Sequence, residues 1–346
     1  MFNIGLIGAG MIAENHIQNL IKTGKVNITW INARTQSTID RVAEKYNIPN
    51  RTTDYTQVLA DASVDAVVIT TPPNLHKKMF IAAVKAGKHI LTEKPLAMNL
   101  KEVDEMIAAK NERPELKVSG CSARHARLQP KYVKVKEIID SGALGEIYYI
   151  HHNSNGRQSR PGIEYHPTAK WFLNKDIAGG GPLFDWGVYD LSFHLGLLND
   201  QPELEKVDVL FMRNGLDNKD PETDVYDVEE HFAAKLKFSG GLDYYWERAS
   251  HNNVEVPNET RIYGTKGGIK LAFCSWDAPE IEFYSLSENG TKAISETIIP
   301  NMDGHDDGYA LAEHFVNVLE GLEEVQMTLE LARKHLDIIL KCYEKA

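Results

Sequence analysis

A pair of glycines between an apolar strand and a helix is the feature that most constrains the fold of this chain. Gly8 and Gly10 follow the apolar stretch 2–7, and the helix that comes next opens at Met11 and Ile12. This order fits the pattern G-x-G-x-x-G/A, in which the first glycine permits a tight turn and the second lets the backbone approach a pyrophosphate. Because the pyrophosphate then lies at the helix N-terminus, we expect a dinucleotide against this first turn.

Strand and helix signals alternate through the first third of the chain. The run 65–70 is apolar enough to be buried on both faces, a helix is predicted over 76–86, and a strand over 88–92. Asn99, with Glu102 three residues later, has the form of a capping box at the start of another helix. This alternation predicts an α/β fold with a doubly wound parallel sheet of the Rossmann type.

The pattern changes beyond residue 120. The later strands are longer and alternate polar with apolar residues, Gly240-Gly241 between two of them indicates a tight hairpin, and residues 309–343 are predicted to be helical. These features predict a second α/β domain with a mostly antiparallel open sheet. We expect a dinucleotide-binding domain over 1–122 and a substrate-binding and oligomerisation domain over 123–346.

The composition argues against several classes of protein. The net charge of −11 disfavours a nucleic-acid-binding surface, and no run of about 18 apolar residues is present to cross a membrane. The N-terminus leads directly into a strand, without the regions of a secretion signal. Cys121, Cys274 and Cys342 are widely spaced and show no metal-binding pattern. We therefore expect a cytoplasmic protein with reduced thiols and no metal.

The end of the second predicted strand distinguishes between the two nicotinamide cofactors. An NAD enzyme usually places Asp or Glu there for the ribose 2′-hydroxyl, whereas this chain reads Asn-Ala-Arg-Thr at 32–35. A carboxylate would repel a 2′-phosphate, and an arginine can bind one with two hydrogen bonds. Arg34 and Thr35 therefore favour NADP(H). The alternative is that Arg34 faces solvent or stacks on adenine while NAD(H) is used.

A second polar segment follows the buried strand near residue 69. It reads Thr-Thr-Pro-Pro-Asn-Leu-His at 70–76 and lies at the carboxyl edge of the predicted sheet, where ligands bind in such folds. Thr71, Pro72 and Asn74 are assigned to the cofactor site, with Thr71 and Asn74 as candidates to line the ribose. His76 either contacts the cofactor or only begins the next helix.

The tripeptide Glu93-Lys94-Pro95 puts a lysine at the mouth of a buried strand. Hydride transfer from an alcohol needs the hydroxyl proton removed as the hydride leaves. A lysine beside the cationic nicotinamide ring can accept or relay that proton near neutral pH, and in reduction its cation polarises the carbonyl. Glu93 is expected to anchor the strand end or the cofactor ribose. The alternative for Lys94 is a solvated lysine, and the sequence leaves open whether its bond to Pro95 is cis.

Four motifs occur in a fixed order along the chain. They are the glycine pattern at 8–13, Thr-Pro-Pro-Asn-Leu-His at 71–76, Glu-Lys-Pro at 93–95, and Gly-Gly-Gly-Pro-Leu-Phe-Asp-Trp-Gly-Val-Tyr-Asp at 179–190. Together they resemble the glucose–fructose oxidoreductase/inositol dehydrogenase (Gfo/Idh/MocA) family. The resemblance implies a Rossmann domain followed by an α/β domain with an open sheet, oxidation or reduction of a carbinol carbon in sugars and polyols, and dimers or tetramers. The family lysine that matches Lys94 has the proton-transfer role.

Asp185 and Tyr189 are four residues apart on a predicted helix, so both can face one cleft. Asp185 would bind a substrate hydroxyl or orient Lys94, and the glycines at 179–181 would permit a tight entry beneath the substrate. The inositol dehydrogenase-like members carry His where this chain has Tyr189, which instead resembles the glucose–fructose oxidoreductase and dihydrodiol dehydrogenase-like branch. Either Lys94 or Tyr189 can be the terminal acid/base. The alternative is a core tyrosine with a satisfied hydroxyl.

Further candidates for the substrate site lie in loops around 124–128 and 154–170. Arg124 follows the last strand of the first domain and is assigned to substrate binding together with Lys94, Asp185 and Tyr189. For the other polar residues of these loops, a solvated position is the simpler interpretation. They are His125, Arg157, Tyr165, His166 and Lys170.

The sequence therefore predicts an NADP(H)-dependent oxidoreductase, with NAD(H) as the other cofactor, that acts on a sugar, polyol or related cyclic substrate. A homodimer or homotetramer joined through the C-terminal sheet is expected. Two other functions remain open. One is a relative that holds NAD(P) tightly and uses transient oxidation for glycoside cleavage or elimination. The other is a non-catalytic dinucleotide-binding regulator, against which the complete set of Lys94, Asp185 and Tyr189 argues.

Overall fold

The computed structural model contains two compact units. It describes residues 1–157, 160–162, 169–214, 225–275 and 277–346. One unit consists of Met1–Arg124 with His305–Leu336, and the other of His125–Gly304 with Asp337–Ala346. Within the described ranges, every helix is too short or too polar to cross a membrane.

The secondary structure is as follows in the described part of the chain. The strands are β1 (Phe2–Ile7), β2 (Val26–Asn32), β3 (Asn50–Thr52), β4 (Ala66–Ile69), β5 (His89–Thr92), β6 (Val118–Gly120), β7 (Ile147–Asn155), β8 (Leu204–Arg213), β9 (His231–Phe238), β10 (Leu242–Ala249), β11 (Glu259–Gly264), β12 (Gly267–Leu271), β13 (Ile281–Leu286) and β14 (Ala293–Ile298). The α-helices are α1 (Met11–Lys22), α2 (Gln36–Tyr46), α3 (Tyr55–Ala60), α4 (His76–Lys85), α5 (Leu100–Asn111), α6 (Pro130–Asp140), α7 (Lys175–Ala178), α8 (Pro182–Leu197), α9 (Asp307–Glu320) and α10 (Leu329–Glu344).

The first unit is built on a parallel sheet. Its strands are hydrogen-bonded in the order β3-β2-β1-β4-β5-β6, and the chain reverses its direction of winding between β1 and β4. Every residue of β4 is buried, as expected for a strand covered by helices on both faces. The predicted doubly wound sheet is confirmed. Ligands of such sheets bind at the carboxyl ends of the strands beside this switch point.

A C-terminal segment completes the first unit. Helix α9 packs beside α1 so closely that a Cβ on Gly308 would lie 2.3 Å from Asn19 Nδ2. The structure therefore groups 305–336 with the first unit, whereas the expected limits of 1–122 and 123–346 keep the two domains consecutive. Helical periodicity identifies an apolar face but not the surface that covers it, which explains the difference.

The second unit is built on an open sheet. Its described strands follow the order β14-β13-β12-β11-β7-β10-β9-β8, with β7 and β10 parallel and the other pairs antiparallel. A short turn at Ser239–Gly241 joins β9 to β10, which confirms the hairpin predicted at Gly240-Gly241. The predicted mostly antiparallel sheet is also confirmed. The C-terminal stretch is helical, but it is divided into α9 and α10.

Helix α8 lies against the inner face of this open sheet. A Cβ on Gly187 would lie 2.7 Å from Trp246 Cζ2, so the glycine lets α8 approach β10. Side chains are buried along almost the whole helix. This packing fixes the orientation of the element that carries Asp185 and Tyr189.

Candidate active site

The glycine turn between β1 and α1 leaves the start of the helix open. Gly8 has a φ of 116°, and a Cβ there would lie 2.3 Å from Thr70 Oγ1. Apart from its chain neighbours and the backbone of α1, Gly10 has no atom of the described residues within 4 Å of an added Cβ, and none of these residues caps α1 with its side chain. Met11 is exposed and Ile12 is half-buried beside it. The open space and the first backbone N–H groups of α1 fit a dinucleotide pyrophosphate.

The loop after β2 presents a cation and a hydroxyl beside this turn. Arg34 is exposed and makes no hydrogen bond or ion pair with any residue that the structure describes. Thr35 precedes α2 without using its side chain as a cap, and the first turn of α2 contains no acidic residue. The Gly8 N–H donates a 2.9 Å hydrogen bond to the Asn32 carbonyl, which ties the loop to the glycine turn. An arginine at a helix N-terminus is a suitable partner for a phosphate.

The loop after β4 is supported from inside by His76. The ring Nε2 lies 2.7 Å from the Thr71 carbonyl oxygen, and Nδ1 lies 2.9 Å from the Pro95 carbonyl oxygen. Burial lowers the pKa of His76, and a neutral ring donates to only one of these carbonyls. Thr71 and Pro72 are half-buried and Asn74 is exposed. His76 thus begins α4 and joins two loops, and its contact with a cofactor stays a prediction.

Glu93 is the centre of a buried polar group at the end of β5. Its Oε1 lies 2.8 Å from His16 Nε2 and 3.1 Å from Arg124 Nη1, and its Oε2 accepts a 3.0 Å hydrogen bond from the Lys94 backbone N–H. Burial by itself would raise the pKa of Glu93, but Arg124 and His16 hold that pKa well below its usual range. Arg124, which the sequence assigned to the substrate, is thus buried against Glu93 in the structure. Its contact with substrate stays a prediction.

His16 was not found by sequence reasoning. It lies on the buried stripe of α1 with Ala13, Ile17 and Leu20, and 77 residues separate it from Glu93. A titratable side chain in an otherwise apolar stripe is the signal that marks such a residue. The spacing of residues in the sequence could not identify Glu93 as its partner.

Lys94 is half-buried directly after β5, and its peptide bond to Pro95 is cis. Because β5 is parallel to β4, which is parallel to β1, the lysine lies at the same sheet edge as the open glycine turn. The structure thus places an amine at the edge where a dinucleotide binds in this type of sheet.

Three potential metal ligands meet beneath Lys94. The ligand atoms of His16, Glu93 and Cys121 all lie within 4.8 Å of one another, although their spacing in the sequence shows no metal pattern. The Arg124 guanidinium places a permanent positive charge next to Glu93 Oε1, the same oxygen that contacts His16. Burial also raises the pKa of the Cys121 thiol well above its usual range. The Glu93 carboxylate of this group already has an ion-pair partner in Arg124.

Tyr189 lies in an aromatic cluster of the second unit. The His125 ring meets it edge-on with centroids 4.9 Å apart, and the Trp186 ring lies 5.5 Å away. Tyr189 is fully buried, whereas Asp185, one turn earlier on α8, is half-buried. The structure thus brings His125 to Tyr189 and adds Trp186, which the sequence did not single out. Tyr165 and His166 lie outside the described residues.

The glycines before α8 accommodate a buried carboxylate. Glu229 accepts hydrogen bonds of 2.7 Å from Gly181 N–H, 2.9 Å from Leu183 N–H and 2.7 Å from the Tyr343 hydroxyl. A Cβ on Gly181 would lie 1.8 Å from the Glu229 carbonyl oxygen, and one on Gly180 would lie 2.0 Å from Tyr343 Oη. Burial raises the pKa of Glu229. The glycine run thus gives Glu229 and Tyr343 the space to contact the start of α8. From the sequence, these glycines were expected to permit substrate entry.

Asp190, in the middle of α8, anchors the helix to β10. Arg248 donates two hydrogen bonds of 2.6 Å to its carboxylate, and Trp246 Nε1 donates a third at 2.7 Å. Burial opposes ionisation, but the Arg248 charge outweighs it and lowers the pKa of Asp190. The Arg248 guanidinium also lies 5.3 Å from the centre of the Trp186 ring. His194, five residues after Tyr189 on α8, is a buried core residue whose Nε2 lies 3.1 Å from Thr260 Oγ1 and whose Nδ1 lies 3.0 Å from the Tyr244 hydroxyl.

The other loop candidates lie apart from these clusters. Arg157 is exposed and pairs with exposed Glu255 at 3.6 Å. Lys170 begins a short 3-10 helix, Lys170–Leu173. Arg157 is thus solvated, whereas Lys170 is half-buried, and a role for either residue in substrate binding stays untested.

Comparison with protein families agrees with this architecture. Residues 2–119 match the model described as "Oxidoreductase family, NAD-binding Rossmann fold", and residues 132–270 match the "GFO/IDH/MocA C-terminal domain". The chain belongs to the Gfo/Idh/MocA oxidoreductase family. The resemblance that the order of the four motifs indicated is therefore confirmed, and the relatives of the chain include proteins named as oxidoreductases and dehydrogenases.

Individual Gfo/Idh/MocA relatives are identical to this chain at about a quarter of the aligned positions. A trans-1,2-dihydrobenzene-1,2-diol dehydrogenase of Danio rerio is 28% identical over 87% of this chain and 80% of its own length. The D-xylose 1-dehydrogenase [NADP(+)] of Haloarcula marismortui is 28% identical over 67% of this chain and 60% of its own. A levoglucosan dehydrogenase solved with NADH and levoglucosan has the same fold, with a TM-score of 0.86, 21% identity, and coverage of 100% of this chain and 97% of that one.

Proposed function

We propose that the protein is an NADP(H)-dependent oxidoreductase that moves a hydride between nicotinamide and a carbinol or carbonyl carbon of a sugar, polyol or related cyclic substrate. The observation that carries the proposal is Lys94, half-buried at the carboxyl end of β5 on the same sheet edge as the open glycine turn. The relatives named for a dihydrodiol and for D-xylose support the class of substrate.

The cofactor is proposed to bind along this sheet edge. Backbone N–H groups at the start of α1 hold the pyrophosphate, and nicotinamide, when bound, supplies or accepts the hydride. Some residues are proposed to touch the cofactor and others to support those that do. The contact residues are Gly8, Gly10, Met11, Ile12, Arg34, Thr35, Thr71, Pro72, Asn74 and Lys94, and the supporting residues are His76 and Glu93.

Lys94 and Tyr189 are proposed to handle the proton. In oxidation the Lys94 amine takes the proton of the substrate hydroxyl, and in reduction its ammonium polarises the carbonyl and returns the proton. The Tyr189 hydroxyl is the second proton carrier, and Asp185 binds a neighbouring substrate hydroxyl. Arg124 contributes through Glu93, whose carboxylate it contacts.

The preference for NADP(H) rests on Arg34. An exposed guanidinium without a partner among the described residues can bind a 2′-phosphate with two hydrogen bonds. The relatives carry either cofactor in their names, NADP⁺ for the xylose dehydrogenase and NADH for the levoglucosan dehydrogenase structure. Dissociation constants of both cofactors decide the matter. We expect tighter NADP(H) binding that Arg34→Asp weakens by about 10-fold or more, and tighter NAD(H) binding would contradict the assignment.

A panel of sugars, polyols and keto-sugars tests the activity. Nicotinamide absorbance should change with at least one substrate, and Lys94→Ala should lower kcat by about 10²–10⁴-fold while the cofactor still binds. An unchanged kcat in that variant would remove Lys94 from the chemistry. Protein that retains nucleotide through purification and gives no net turnover would instead indicate transient oxidation for glycoside cleavage or elimination.

The open sheet is proposed to join copies of the chain into a homodimer or homotetramer. Its outer face carries a row of half-buried rings, with Tyr149 and Tyr263 at 5.3 Å and His151 and Tyr245 at 4.6 Å between centroids. Light scattering after gel filtration measures the mass, and a Tyr245→Glu variant should dissociate the assembly. We place the protein in the cytoplasm, in keeping with the absence of a disulfide among the described residues.

A further inference from the structure

The backbone around Lys94 is held on both sides by buried groups. On one side, the Glu93 carboxylate accepts the Lys94 N–H at 3.0 Å. On the other, His76 Nδ1 lies 2.9 Å from the Pro95 carbonyl oxygen. Glu93 and His76 are both buried, so neither is placed to meet a substrate directly. The position of the lysine therefore depends on the groups that fix these two contacts.

We propose that His16 and Arg124 are positioning residues for Lys94 and act on it through Glu93. This inference rests on the proposed role of Lys94. Both side chains contact one oxygen of Glu93, Oε1, at 2.8 Å and 3.1 Å. With that oxygen held at two points, the plane of the carboxylate is fixed, and Oε2 is directed at the Lys94 amide.

The alternative is a network that only stabilises the fold. A buried carboxylate that loses one of its partners is costly, so removal of His16 should destabilise the unit under either account. A positioning role predicts more. The side chain of Lys94 should change its reactivity, and kcat should fall while cofactor affinity is kept, because misplacement of a reacting group acts on the chemical step.

Lys88, directly before the same strand, supplies a matched control. Its Nζ donates buried hydrogen bonds of 2.7 Å to the Asp61 carbonyl and 2.8 Å to the Val64 carbonyl. It precedes β5 at the amino end, opposite to Lys94. Lys88→Met should therefore destabilise the same unit without moving the lysine at the other end of the strand.

The experiment compares His16→Leu, His16→Gln and Lys88→Met with wild type and with Lys94→Ala. His16→Leu has similar volume and no donor, and the glutamine amide can restore a donor to Glu93. We measure kcat, KM, the NADPH dissociation constant, and the rate at which an amine-reactive ester labels Lys94 in cofactor-free protein, read by peptide mass spectrometry. The labelling rate does not depend on activity.

We expect His16→Leu to lower kcat by about 10–100-fold and to change Lys94 labelling. NADPH affinity should stay within about threefold of wild type, and His16→Gln should recover most of kcat. Wild-type kcat and labelling in His16→Leu, or an equal loss of kcat in Lys88→Met, would overturn the positioning role. Activity retained by Lys94→Ala would instead refute the proposed function. If His16→Leu does not fold, Arg124→Gln replaces it with the same expectations.

Discussion

Replacing Gly180 by alanine tests whether Glu229 and Tyr343 hold the start of α8. A Cβ on Gly180 would lie 2.0 Å from Tyr343 Oη, far inside van der Waals contact. Forcing a methyl group into so packed a site costs about 1–3 kcal/mol. Tyr343→Phe removes the hydroxyl and its 2.7 Å hydrogen bond to buried Glu229, which costs about 1.5–3 kcal/mol if the carboxylate is ionised.

The two changes should be coupled. Once the Tyr343 hydroxyl is removed, the nearest atoms to the new methyl group are Phe184 Cβ and Tyr343 Cζ, both at 2.8 Å, so only part of the clash remains. We expect the Gly180→Ala/Tyr343→Phe variant to lose less than the sum of the single losses, by about 0.5–1.5 kcal/mol. Urea unfolding followed by tryptophan fluorescence measures the free energy of unfolding of each variant.

Tyr309→Phe is the matched control for loss of a tyrosine hydroxyl. Tyr309 donates a 3.1 Å hydrogen bond to Glu313 at an exposed site, and its loss should cost less than about 0.5 kcal/mol. A double variant whose loss equals the sum of the single losses within about 0.3 kcal/mol would show no coupling. That result would refute the claim that the position of Tyr343 is the reason for a glycine at 180.

Three further predictions concern charged and proton-carrying groups. Glu93→Gln should destabilise the protein most above pH 4.5, the ordinary pKa of the group, and the deficit should shrink as pH falls through the lowered folded pKa, as thermal unfolding against pH can show. Arg248→Met removes the guanidinium that pairs with the buried Asp190 carboxylate, which then keeps Trp246 Nε1 and, at 3.1 Å, His152 Nε2, and it should cost up to about 3–5 kcal/mol in urea unfolding. Tyr189→Phe should lower kcat by about 10-fold or more with unchanged cofactor affinity; wild-type kcat would make it a core tyrosine.

Local features of both sheets could be predicted from the sequence. Apolar runs such as 65–70 and the hairpin glycines at 240–241 depend on neighbours in the chain, so their elements are where the pattern predicts them. The grouping of 305–336 with the first unit is not a local property. Periodicity shows that α9 has an apolar face but cannot show that α1 covers it.

The candidate site was predictable only where it depends on local motifs. Lys94 and the turn at Gly10 each follow a strand directly, and parallel strands place such residues at one edge of the sheet. The partners of Glu93 do not, because His16 is 77 residues away in the sequence. Arg124 was recognised as a polar residue after the last strand, yet its burial against Glu93 depends on tertiary packing.

The same limit applies to the glycines before α8. A run of glycines indicates a place where side chains do not fit, and from the sequence alone this space was expected to serve substrate entry. In the structure, the space at Gly181 is taken by Glu229 and that at Gly180 by Tyr343, from segments distant in the chain. What fills the space could not be inferred from the glycines themselves.

The central claim is that hydride leaves a carbinol carbon for nicotinamide while Lys94 takes the hydroxyl proton. The most direct test is a single turnover of the best panel substrate, deuterated at the carbinol carbon, with NADP⁺. We expect deuterium in the reduced nicotinamide ring and a rate about 10²–10⁴-fold lower in Lys94→Ala, at unchanged cofactor affinity. Deuterium lost to solvent, or a Lys94→Ala rate equal to that of wild type, would contradict the claim.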